Sequence, residues 1–148
     1  KRKEKEDDFI ESLSISSRES SKENSKSSSK DTSKSSSKEN SNENSTCVLF
    51  QAGGCAILIT GDRAEEGEAK LLQQTDLPKL DYLVAGHHGA QNSTSTALLE
   101  QTMPETVIIS AGKNNPYGHP QEMTLFRLQT FGCRILRTDQ NGTIIIRG

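Results

Sequence analysis

The sequence predicts an α/β fold, and three observations carry that prediction. Apolar residues are unevenly placed: the 148-residue chain is 30% hydrophobic and 4% aromatic, against the ~45–50% apolar of an ordinary domain. The first 46 residues hold 16 serines and 20 charged residues, with only Phe9, Ile10, Leu13 and Ile15 as apolar side chains. Beyond them, strand-length apolar runs alternate with longer amphipathic stretches, and Gly, Pro and Asn punctuate the joints. Strands alternating with helices imply a layered sheet. The chain is therefore expected to be a low-complexity segment, 1–46, followed by one small domain, 47–148.

From Lys22 the chain repeats in fours (KENS, KSSS, KDTS, KSSS, KENS, NENS). The repeat would stack Lys22, Lys26, Lys30, Lys34 and Lys38 at i, i+4 on a helix, which is destabilising. Serine and Asn favour local turns, and nothing apolar offsets the entropy of ordering. Residues 12–45 are expected to be disordered, as a charged or phosphorylated linker or as a neutral repeat expansion in a loop. Residues 1–11 fit either a helix end or a strand start.

Cys47–Gln51 and Cys55–Thr60, joined by Ala52-Gly53-Gly54, read as a β-hairpin. The second run is continuously apolar, the pattern of a strand covered on both faces, and ends at Gly61-Asp62. Residues 64–74 read as a helix with acids in its first turn, where the dipole favours them. Asp81–Gly86 is a third strand, stopping at His87-His88-Gly89. Ser95–Gln101 is a short helix ended by Pro104. Thr106–Ala111 is a fourth strand, followed by the loop GKNNPYGHP. Residues 121–131 form another helix, with Gly132 suited to its C′ position. Arg134–Arg137 and Thr143–Arg147 are expected as a last pair of strands around the turn 138–142.

Several function classes fall away. No apolar run approaches the ~20 residues of a membrane helix, and Lys1-Arg2-Lys3 is followed by acids rather than the apolar stretch of a signal peptide. A net charge of −2, from 18 Lys+Arg and 20 Asp+Glu, leaves no global basic footprint for nucleic acid. Cys47, Cys55 and Cys133 form no C-x-x-C, so buried thiols are expected rather than disulfides or a zinc knot. No P-loop, H-E-x-x-H or G-x-S-x-G occurs.

Three polar clusters sit at strand ends, where chemistry gathers in such sheets: Gly61-Asp62, His87-His88-Gly89 and the 114–120 loop. Asp62 suits a metal ligand or general base, or alternatively the N-cap of the next helix. Adjacent side chains leaving a strand diverge, so His87 and His88 suit different tasks: one a ligand, the other a proton donor or phosphate contact. Turn residues without chemistry are the plain alternative. His119, in a loop fixed by Pro116, Gly118 and Pro120, can contact a phosphate, act as an acid or simply pack. Asn92, Ser93 and Ser95 can cap the next helix or receive an anion at its start. Imidazole with carboxylate suits Zn²⁺, Mn²⁺ or Fe²⁺. This chain nevertheless falls short of the three protein ligands of a catalytic zinc, and further short of a two-metal centre.

The runs N-E-N-S-T-C-V-L-F-Q-A-G-G-C-A-I-L-I-T-G-D, E-x-E-A-K-L-L, D-Y-L-V-A-G-H-H-G-A-x-N-S-T-S, V-I-I-S-A-G-K-N-N-P-Y-G-H-P and R-T-D-Q-N-G-T-I-I-I-R resemble, in order, the C-terminal half of a metallo-β-lactamase-fold domain. They are most similar to the hydrolase domain of ComEC-type DNA-internalisation competence proteins. The resemblance covers about residues 42–148. It implies half of a four-layer αβ/βα sandwich with a binuclear Zn or Mn site at its rim. It implies Asp62 as the aspartate bridging the ions and one of His87 and His88 as the last histidine ligand, with the other beside the substrate. His88 is taken as the metal ligand, His87 and His119 as catalytic, and His119 also lines the pocket. Asn92, Ser93 and Asn115 join His119 as implied substrate contacts. The implied task is metal-dependent phosphodiester hydrolysis of one DNA strand during import, in a domain tethered to the membrane on its extracytoplasmic side. The partners implied are DNA, the other half of the domain and a membrane channel.

Two departures stand out. The family's H-x-D-x-D-H-type motif is absent from the chain, and the usual HHGS reads HHGA, with Ala90 in place of serine. These favour a fragment that is inactive alone, and they leave two rivals: a degenerate, non-catalytic scaffold, or another esterase of the same fold with the H-H-G signature. An apolar sheet face is expected where the absent half would pack.

Overall fold

The computed structural model of the chain describes residues 45–147. The expectations for residues 1–44 lie outside the described residues. Ser45, expected to end the disordered stretch, is instead tied to the fold. Its Oγ accepts a hydrogen bond from the Asp62 N–H at 2.9 Å, and its carbonyl accepts two from the Arg63 guanidinium at 2.7 and 3.2 Å.

The fold is α/β, a mixed five-stranded sheet with four helices. Strand β1 (Val48–Ala52) and β2 (Cys55–Ile59) form the expected antiparallel hairpin, with Leu49 opposite Leu58 and Phe50 opposite Ile57. Strands β3 (Tyr82–Val84), β4 (Thr106–Ile109) and β5 (Arg134–Arg137) follow in parallel, in the order β1-β2-β3-β4-β5. Helices α1 (Glu65–Gln74), α2 (Thr96–Thr102) and α3 (Glu122–Thr130) make the three crossovers. Right-handed crossovers stepping in one direction across a sheet leave every helix on the same face.

The core follows that geometry. Leu49, Leu58, Leu83, Val107 and Ile135 lie in register on one face and pack with Leu71 of α1, Leu98 and Leu99 of α2, and Leu128 of α3. The other face carries Val48, Phe50, Ile57, Ile59, Tyr82, Val84 and Leu136, half-buried or exposed, together with Thr106 and Ile108 of β4, which are buried. The expectation that β2 is covered on both faces is therefore corrected. Ala56 and Leu58 are buried while Cys55, Ile57 and Ile59 are only half-buried, because α1, α2 and α3 pack against the Leu58 side.

Two further expectations change. Thr143–Arg147 is not a strand, and Thr138–Asn141 is one helical turn, α4. The Asn141 Oδ1 accepts the Arg137 N–H at 2.9 Å, so a side chain takes the edge hydrogen bond a sixth strand would need. Asp139 adds a paired hydrogen bond to the Arg137 guanidinium at 2.6 and 3.0 Å. Gly132 does terminate α3, at φ 71°. The Cys133 N–H bonds to Leu128 and the Gly132 N–H to Gln129, the double closure of a Schellman end. All three cysteines are free thiols; Cys47 is buried, and Cys55 and Cys133 are half-buried. No described helix is long and apolar enough to cross a membrane.

Candidate functional site

Strands β2, β3 and β4 are parallel neighbours, so their C-terminal ends open on one edge of the sheet. The three polar clusters meet there. The His87 N–H donates to the Gly61 carbonyl at 2.9 Å, and the Gln121 N–H to the Gly89 carbonyl at 3.0 Å. His87 and His88 both take left-handed backbone, φ 48° and 57°, an uncommon conformation for residues with a side chain. The turn 86–89 is held on every side. A methyl on Gly86 would meet Thr60 Oγ1, the Arg63 carbonyl and Ser93 Cβ at 3.1–3.2 Å. The Gly86 N–H bonds to Thr94 Oγ1 at 3.1 Å.

The two side chains diverge as expected. His88 is exposed, and its Nδ1 lies 2.7 Å from the Ser110 carbonyl at the end of β4. A carbonyl only accepts, so Nδ1 carries a proton and Nε2 is the ring nitrogen left for another partner, the usual way a ligand histidine is oriented. His87 turns instead toward His119, with ring centroids 5.7 Å apart. The Nδ1 atoms of His87 and His119 are both buried without a hydrogen-bond partner among the described residues. Such orphans call for a ligand, ion or water. Burial, with the neighbouring His87 and His88, holds the His119 pKa below the ordinary imidazole range, so the neutral ring is favoured.

A cleft of about 490 Å³ runs alongside, lined by Glu65, His87, Asn92, His119, Gln121 and Arg127 among others. Arg127 was not singled out in the sequence. Its Nη1 donates to the Ser93 and Thr94 carbonyls at 2.9 Å and its Nη2 to Gln91 at 3.2 Å, so one guanidinium both braces the loop 91–94 and charges the cleft wall. The bonds to backbone carbonyls leave no trace in sequence, nor does the Ser110 carbonyl behind His88.

Of the other expected site residues, Asn92 is exposed and lines the cleft. Ser93 is fully buried, its hydroxyl donating to the Gly86 and Ala90 carbonyls at 2.7 and 3.0 Å, so it holds the histidine turn. Asn115 is equally occupied. Its amide donates to the His119 carbonyl at 2.5 Å and its Oδ1 accepts the His119 N–H at 3.0 Å, which positions His119. Ser95 caps α2 through the Leu98 N–H at 3.3 Å, as the sequence suggested. Asp62 is exposed at the rim and is not a helix cap, since α1 starts after Ala64 with no side-chain cap. Among the described residues, no group of three or more His, Cys, Asp or Glu is placed to hold a metal ion.

Fold and rim define a class: an α/β unit carrying histidines and an aspartate at the C-terminal ends of adjacent parallel strands. Its relatives are competence and recombination proteins. The chain is 46% identical over 104 residues to ComE operon protein 3 of Bacillus subtilis and 39% identical over 101 residues to competence protein ComA of Neisseria gonorrhoeae. It is 36% identical over 100 residues to recombination protein 2 of Haemophilus influenzae. These matches cover 70%, 67% and 68% of this chain but only 13%, 15% and 12% of the relatives. No family model matches the chain, and no solved structure does.

Proposed function

We propose that the chain is a segment of a larger DNA-uptake protein, and that its rim is one side of a divalent-metal phosphodiesterase centre that degrades one DNA strand during import. The likeness to a ComE operon protein and to a protein named for competence, each several times longer than the matched stretch, supports the first part. The observation that supports the second is the His88–Ser110 hydrogen bond at the end of β4, which engages Nδ1 of an exposed ring and leaves Nε2 for another partner.

His88 and Asp62 would hold metal, two Zn or Mn ions in the complete domain, with the remaining ligands contributed from outside residues 45–147. Bound ions supply charge balance for the phosphoryl group and activate water. The chain's own part is positioning and proton handling. His87 and His119 line the cleft, each with a buried Nδ1 that has no hydrogen-bond partner among the described residues, Asn115 fixes His119, and Asn92 with Arg127 lines the path of the phosphate. The polar segment 1–46 would precede the domain. A membrane tether on the extracytoplasmic side would lie outside the described residues.

One observation favours a non-catalytic scaffold instead: the described donors do not reach a set of three. The two readings separate in the complete protein that carries this segment. Asp62→Ala and His88→Ala are expected to lower bound Mn or Zn per chain and to reduce DNA cleavage by more than the ~10–100-fold typical of outer-shell partners. Unchanged metal content and cleavage in both variants would refute the assignment.

A further inference from the structure

Tyr117 is the feature of the 112–120 loop that this chemistry does not use. Its side chain is 75% exposed, which alone is ordinary for a surface aromatic. Its setting is not ordinary. The ring lies nearly parallel to His119, 18° between planes and 6.1 Å between centroids, within the range of offset stacking. His119 is held by the paired Asn115 hydrogen bonds, so the backbone carrying the pair is braced. His119 in turn stands 5.7 Å from His87, and His87 stands 6.4 Å from His88. Four rings therefore run in a row, from an exposed aromatic face to the imidazole that Ser110 orients.

We infer that Tyr117 is a stacking platform for a nucleobase of single-stranded nucleic acid, placed so that the adjoining phosphodiester is directed along His119 and His87. The inference rests on the nucleic-acid reading above and specifies its substrate. A ring on the protein surface reaches the face of a base only when that base is unstacked, which selects single strands over duplex. Stacking on a phenol ring is indifferent to base identity, as a site acting on arbitrary imported sequence requires. Tyr117 stays 75% exposed beside His119, which leaves ring surface for the base.

The chain contains no tryptophan, so Tyr117→Trp installs a single indole reporter at the platform. The full 148-residue chain is titrated with a short oligothymidylate and with an abasic oligomer carrying the same number of phosphates. The expected result is indole quenching by oligothymidylate, weaker binding of the abasic oligomer, and retention of binding in Tyr117→Phe. Tyr117→Ala is expected to weaken oligothymidylate binding about 5- to 150-fold and to leave abasic binding unchanged. Equal binding of the two oligomers, insensitive to Tyr117→Ala, would overturn the platform while sparing the phosphodiester reading. Binding of neither oligomer would overturn the platform, while the phosphodiester reading is decided separately by metal content and cleavage of the Asp62→Ala and His88→Ala variants in the complete protein.

Discussion

Glu68 is fully buried, and its two carboxylate oxygens accept the Thr94 and Ser95 N–H groups, each at 2.7 Å. Those N–H groups stand at the start of α2, directly after the histidine turn, so one acid ties α1 to the site. Glu68→Ala leaves both donors buried and unpaired. At ~1–3 kcal/mol for each orphan, a loss of about 3 kcal/mol is expected by urea unfolding, with Glu68→Gln in between because its amide keeps one acceptor. Burial raises the Glu68 pKa, opposed by the hydrogen bonds from Ser95 and Thr94. An acid whose pKa is raised on folding holds more protons folded than unfolded between its two pKa values, so stability falls as pH climbs through that window. The wild-type minus Glu68→Gln difference should therefore decline with pH from the ordinary glutamate range upward; a flat difference would show that burial does not dominate.

At this scale the histidines were legible and their supports were not. His87, His88 and His119 stand out as the chain's only histidines, at strand ends and beside Gly and Pro. Glu68 reads in sequence as one of three acids favouring the dipole of α1, yet it serves the N-terminus of a different helix. Ser93 and Asn115 are implied as substrate contacts by the resemblance, which does not say what else their side chains hold. Only the structure shows that backbone groups already occupy them.

Among the elements, the turn 86–89 is the most demanding, and Gly89 is its tightest point. Its φ is 83°, and an added methyl would lie 2.7 Å from Pro120 Cβ and 3.2 Å from Pro120 Cα. Gly89→Ala therefore combines left-handed strain with a push against the residue that follows His119. A loss of about 2 kcal/mol is expected, read as a lower urea midpoint at unchanged m-value. A variant as stable as the parent would mean that the 119–120 backbone yields freely. The hairpin and the three parallel strands were legible because apolar runs bounded by glycine and proline are local signals. The last strand was misread for a physical reason. Thr143–Arg147 has the composition of a strand, but the Asn141 and Asp139 side chains satisfy Arg137 first, and Thr138 Oγ1 accepts the Ala111 N–H at 2.9 Å. Side-chain competition of this kind is tertiary and leaves no period in the sequence.

For the whole molecule, the consequence of one-sided layering is an apolar sheet face. Phe50, Ile57 and Tyr82 are in register across β1, β2 and β3, and Ile59 and Val84 beside them. Phe50 is 40% exposed, and α1, α2 and α3 pack their buried leucines against the opposite face. A contiguous apolar surface of this kind is uncommon on a monomeric domain and marks a surface meant to be covered. The chain alone is therefore expected to enhance the fluorescence of the apolar dye ANS and to associate more as concentration rises in sedimentation velocity. The double substitution Phe50→Lys, Ile57→Thr should reduce both while sparing the core, since neither residue belongs to the buried cluster of Leu49, Leu58, Leu83 and Val107. Two outcomes are informative beyond the chain itself. If dye binding and association fall together, the face is a free surface, and the larger protein must supply its cover. If the parent chain binds no dye and stays monomeric, the face is already covered, and a half-domain that needs a second half to complete its rim is no longer supported.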